Sequence, residues 1–243
     1  MVQLMFKRQY SILSERYFET LLGDFPSLIW MVGQAPLIAG LIILRWKSWP
    51  ANETLYFIMA LSVVWFGCTN SCREIAKELN ILKRESLFGI NVIAYLASKA
   101  KILSLIGIVE IGLFCFLLNR YLNIGLSLFL SFIALLGLYF SGMSLGLMLS
   151  KWCGSVSRAV IAVPIVIIPQ IVFSKFVMPE NTLKGAALKI EKLMVVKWGF
   201  EALKSSKLGE ISFGDFSISM AVLILLGTIF LMLTLLHLFF VKD

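Results

Sequence analysis

The side chains able to do chemistry are few and poorly assembled for catalysis. The chain has one histidine, His237, and four cysteines, Cys68, Cys72, Cys115 and Cys153, all in or at the ends of apolar runs. Cys68 and Cys72 share a helix face at a spacing too long for a disulfide, and CxxxC without a histidine is a poor metal signature. They read as small buried hydrophobes, and no metal site is expected. No HExxH, GxSxG or GxxxxGK[ST] motif occurs, so neither hydrolytic catalysis nor P-loop nucleotide binding belongs to these residues. An intramembrane enzyme would need His237 and Glu110 to converge.

The densest polar cluster lies in residues 65–99, WFGCTNSCREIAKELNILKRESLFGINVIAYLASK. An apolar run passes into charge without a turn signal, so the helix is expected to leave the membrane and break near Asn80. A second short helix follows, with Lys83, Arg84 and Glu85 polar, Ile81, Leu82, Leu87 and Phe88 apolar, and Gly89 as its stop. A short helix of mixed character on a helical stalk suits docking into a partner's groove; an ordinary solvated loop has the same composition.

The elements that must hold this cluster follow from composition. Of 243 residues, 59% are apolar and 15% charged, against about 45–50% and about 25% in soluble domains. The chain is expected to be an all-α integral membrane protein. Six apolar runs are candidate spans, 25–44, 54–72, 102–118, 124–149, 159–174 and 216–241. The fifth is interrupted by Pro164 and Pro169. They divide a single transmembrane domain, 1–243, into a surface segment 1–24, a cytoplasmic loop 73–99 and a large outer loop 175–215.

In the first segment Phe6, Tyr10, Leu13, Tyr17 and Leu21 form one helical stripe, with Lys7, Ser11, Ser14 and Glu15 off it, which predicts an amphipathic helix along the membrane surface. With both termini inside, the inner segments carry twelve basic residues and the short outer loops three, although seven lysines of the 175–215 loop also fall outside. The balance favours cytoplasmic termini. The net charge of +8 then faces anionic lipid rather than nucleic acid.

Within the spans, Glu110 stands out, because an ionised side chain on lipid costs on the order of 3 kcal/mol. It must face the bundle interior or water, or be protonated. A hydrogen bond to Ser104 or Tyr139 and a contact with substrate or a proton are both open. Gln34 and Gln170 are weaker polar marks. Gly142, Gly146, Ser150 and Gly154 recur every four residues, as close helix packing requires.

At this point residues 65–99 resemble the first cytoplasmic loop of ABC exporter permeases of the G-subfamily type, a group with many bacterial drug, lipid and polysaccharide exporters. The pattern is met by Asn70, Arg73, Glu74, Ile75, Glu78, Arg84, Glu85, Gly89, Tyr95 and Lys99. QAPLIAGLI, PIVIIPQIVFS and VVKWGFEAL are similar to bacterial members, so the likeness extends over essentially the whole chain. It departs at Leu79, where an Arg is common, and at Lys175, where a Gly often sits.

The resemblance implies a membrane permease subunit whose helix near 78–89 couples to an ATPase through Arg73, Glu74, Glu78, Arg84, Glu85 and Gly89. It implies a substrate pathway near Glu110, Gln170 and Phe173, and an outer loop with short membrane-dipping helices. It further implies a separate P-loop ATP-binding subunit carrying ATP and Mg, with no cofactor on this chain. A second permease subunit, most simply a copy of this one, and membrane lipid complete the partners, in the plasma (inner) membrane. The other function open is an ATP-independent channel or carrier.

Overall fold

A computed structural model describes residues 2–174, 176 and 185–239, with side chains from Phe6 onward except Ala186. Lys175, residues 177–184 and the end of the last predicted span lie outside the described residues. Among those described, the order is α1 (Val2–Gly23), α2 (Phe25–Trp46), α3 (Glu53–Ser71), a short 3-10 turn (Ala76–Glu78), α4 (Leu79–Ser86) and α5 (Val92–Tyr121). Then come α6 (Leu128–Cys153), α7 (Val156–Val172), α8 (Ala186–Leu193), α9 (Val195–Ser205) and α10 (Phe213–Phe239).

Local chemistry sets the boundaries. Asp24 accepts the Ser27 amide at 3.4 Å, with Pro26 in the first turn of α2. Asn52 accepts the Leu55 amide at 3.0 Å, and Asn91 those of Ile93 and Ala94. Each supplies an acceptor for amides that have no partner inside the helix. Gly154, at φ +63°, ends α6 in the left-handed region that favours glycine.

Among the described residues, five helical stretches are long and apolar enough to cross a membrane, and the chain is a multi-pass membrane protein. The predicted fifth span forms α7, but with 17 residues it reaches about 26 Å, short of a hydrocarbon core of about 30 Å. The predicted fourth span starts later than expected, at Leu128. Residues 125–127 instead meet the 175–215 loop, where the Ser127 amide donates to Ser206 O and the Leu208 amide to Gly125 O, both at 2.9 Å.

α3 and α6 form the centre. A Cβ on Gly67 would sit 2.6 Å from Tyr139 O, and one on Gly142 2.8 Å from Val64 O, so the two backbones touch where the glycines lie. α9 and α10 pack around this pair, and α1 and α2 lie on α5. The four-residue small stripe of α6 is thus used inside one subunit.

Two expectations change. The α3 helix ends at Ser71, not near Asn80, which lies inside α4. Ser150 Oγ accepts both the Ile75 amide at 3.0 Å and the Ala76 amide at 2.9 Å, so those amides are not available to prolong α3. The stripe of α1 does not face the membrane. Leu13, Tyr17 and Leu21 are buried within the protein, Ser14 is buried with them, and Ile12, Phe18 and Leu22 are the exposed apolar residues.

Replacing Gly67 by Val should destabilise the chain by about 1–3 kcal/mol or more, read as a lower melting temperature in detergent. Gly112→Val, with open space at its Cβ position, should leave the melting temperature within error of the parent.

Candidate functional site

The segment after α3 is held from three sides. Tyr17 Oη of α1 donates to Glu74 Oε2 at 2.5 Å, and Lys77 Nζ lies 2.8 Å from Glu74 Oε1. Burial, then the Glu74 carboxylate, push the Tyr17 phenol well above its ordinary value, so it remains a donor. Glu78 pairs with Lys99 of α5 at 2.7 Å and accepts from Tyr95 Oη at 3.1 Å. The Lys99 ammonium also stands 3.5 Å from the centroid of the Tyr17 ring, a cation over an aromatic face. Glu85 of α4 takes Arg16 of α1 at 2.6 Å, and this hydrogen bond raises the Arg16 guanidinium above its ordinary value. Gln9 Oε1 accepts the Asn91 amide at 2.9 Å. α1, the loop and the start of α5 are one cross-linked body.

The predicted residues therefore divide. Glu74, Glu78 and Glu85 are engaged within the chain, Arg73 is half-buried, and Gly89, at φ +82°, closes the turn after α4. Lys83 and Arg84 are exposed, and Leu87 and Phe88 are 83% and 86% exposed. An α4 fixed to α1 by Glu85 and to α5 by Glu78 in the turn before it presents an apolar tip beside two cations. Gly142 and Gly146 serve the α3–α6 contact, whereas Ser150 ends that helix pair by taking the loop amides.

Arg16 and Tyr17 were not legible as site residues. Tyr17 reads only as one member of a hydrophobic stripe, and Arg16 as one more positive charge near a terminus. Their partners lie 69 and 57 residues away, a distance over which sequence gives no pairing signal.

The three residues expected near the substrate pathway lie in two places. Glu110 sits between α3 and α6, its Oε2 accepting from Asn70 Nδ2 at 2.7 Å. Asn70 also donates to Tyr139 Oη at 3.3 Å and accepts from Gln34 Nε2 at 2.8 Å. Asn70, not Ser104 or Tyr139, is thus the direct partner; Ser104 faces Met143 Sδ at 3.8 Å. Gln170 Oε1 accepts the Val196 amide at the start of α9 at 3.0 Å. Gln170 and Phe173 line a cavity of about 380 Å³ with Phe57, Phe176 and Phe200. Phe57 and Phe200 flank Phe176 at ring separations of 4.8 and 5.4 Å.

Breaking the Glu78–Lys99 pair from one side should be worse than removing it whole. Lys99→Met is expected to cost about 3–5 kcal/mol, and Glu78→Gln added to it should recover part of the loss in a thermal-unfolding double-mutant cycle.

The family model described as ABC-2 type transporter matches residues 8–208. No curated protein matches the chain. The matched region takes in α2–α6, the held loop with α4, α7 and the short helices of the outer loop, which is most of the chain. The apolar helices and this match together make the protein a member of the ABC-2 type transporter family, a transmembrane permease component of an ABC transporter.

Proposed function

We propose that the chain is the membrane-spanning permease subunit of an ATP-driven exporter that moves an apolar or amphipathic molecule outward. Six helices cross the plasma (inner) membrane, α7 included, with both termini cytoplasmic. ATP and Mg are bound and hydrolysed by a separate P-loop subunit, and a second permease subunit, most simply a copy of this chain, completes the pathway.

The observation that carries this reading is the form of α4. Glu85 of α4 is bonded to α1 and Glu78, in the turn just before it, to α5, while Leu87 and Phe88 project just past its end beside Lys83 and Arg84. A projecting apolar pair on a rigid mount suits insertion into a groove of a partner. Because the mount reaches α5 through Glu78 and Lys99, displacement of the tip is passed to a span instead of being absorbed by loop bending. The cavity beside Gln170, lined by phenylalanines and also by Glu191, Lys197, Glu201 and Lys204, supports an amphipathic cargo. A passive channel or carrier gives such a mounted tip no use.

The paired substitution Leu87→Ser with Phe88→Ser removes exposed side chains only, so the melting temperature should hold. Co-purification of a P-loop ATPase with the tagged chain should be lost, and undiminished recovery of that subunit would sink the docking role of α4. For topology, a cysteine at the exposed Leu208 should react with an impermeant thiol reagent on intact cells. Labelling only after permeabilisation would invert the orientation.

A further inference from the structure

Glu74 and Glu110 are buried to the same degree, 1% and 0% exposed, but in opposite company. Glu74 has the Lys77 ammonium and the Tyr17 hydroxyl on its two oxygens. Glu110 has one neutral amide, Asn70 Nδ2, on Oε2, and its Oε1 is buried with no hydrogen-bond partner.

Among the described residues, the surroundings hold no compensating charge. Gln34 comes from α2, Asn70 from α3 and Tyr139 from α6, and Tyr139 directs its own proton to Leu103 O at 3.2 Å. On α5 itself the nearest cations are Lys101 and Arg120, each more than two turns away, which is roughly 13 Å or more along the axis. α1 brings Tyr17 and Tyr10 against Lys99 and Lys101, at the cytoplasmic end of α5. The titratable residues of the described part of α10, Asp215 and His237, lie near its two ends. The remaining titratable neighbours on α3 and α5, Cys68 and Cys115, are buried thiols. A carboxylate here would be a buried charge with no counter-charge and one bare oxygen, which proteins avoid by neutralising the group.

The donors are also fully assigned. Asn70 gives both amide hydrogens, one to Glu110 and one to Tyr139, and accepts from Gln34. Gln34 donates to Met31 O and accepts from Thr69 Oγ1 at 3.2 Å. Gln34 spends its amide hydrogens on Met31 O and Asn70 Oδ1, so nothing in this cluster is left to donate to Oε1. The cluster lacks a donor at that one oxygen, and an O–H there supplies it.

We propose that Glu110 is a proton-binding site in the transmembrane core, neutral in this state, with its proton on the oxygen that faces away from Asn70. The ligand is a single proton, held by a residue in contact with the last turn of α3. This stands whether or not ATP drives the chain. Because α3 and α6 close over the carboxyl, the proton can exchange only when water enters between them, so its exchange rate reports the opening of this core.

The test is infrared spectroscopy of the full chain in lipid nanodiscs at pH 7, with 13C-glutamate incorporated to mark glutamate carbonyls. The expected result is a label-shifted carboxylic-acid band that disappears in Glu110→Gln and moves to higher wavenumber in Asn70→Ala, which strips the donor from its carbonyl. The label is read on the unmutated chain, so a variant that fails to fold leaves the test standing. Carboxylate bands alone in that chain at pH 7, or an acid band that survives Glu110→Gln, would overturn the proposal.

Discussion

The contact between α3 and α6 is the constraint on which the rest of the molecule depends. Helix backbones meet at this distance only where one of them lacks a Cβ at the contact, and Gly67, Gly142 and Gly146 meet that condition along the crossing. In a membrane the gain comes from packing and interhelical hydrogen bonds, because lipid tails are as apolar as leucine. Ser71 Oγ, which donates to Met143 O at 2.9 Å, and Ser141 Oγ, which donates to Leu223 O of α10 at 2.7 Å, supply such bonds at the same layer.

Two functional features follow from that one crossing. At one end it sets Ser150 under the start of the loop, so the chain leaves α3 at Ser71 and turns, and α4 emerges where Arg16, Glu78 and Lys99 can clamp it. Further along it brings Tyr139 beside Asn70 and Glu110 and buries these three side chains. Asn70 belongs to both. It bonds to Glu110 and stands one residue before the helix end.

α1 gains a role from the same geometry. As a helix with Tyr17 and Arg16 on the loop and its stripe on α5, it braces the loop, while Ile12, Phe18 and Leu22 form its exposed apolar side. Its two apolar sides explain why a periodic stripe misleads here. The spacing of Phe6, Tyr10, Leu13, Tyr17 and Leu21 is true to one face, but periodicity cannot say whether that face meets lipid or protein when both are apolar.

The sequence by itself determined the membrane class, the helical composition, the runs from which the helices form, the absence of nucleotide-binding and hydrolytic motifs, and the loop that carries the family pattern. These are properties of composition, of period and of residues close together in the chain, where each residue's preference acts almost independently of the fold. Only the tertiary structure decided that α3 stops at Ser71, that Glu74, Glu78 and Glu85 are bonded inward while Leu87 and Phe88 are not, and that Glu110 meets Asn70. Each of these turns on a partner tens of residues away, such as Ser150 for the loop amides or Tyr17 for Glu74. A hydroxyl or a carboxylate in a sequence states what it can bond to; only the packing of helices around it selects the one group that it meets.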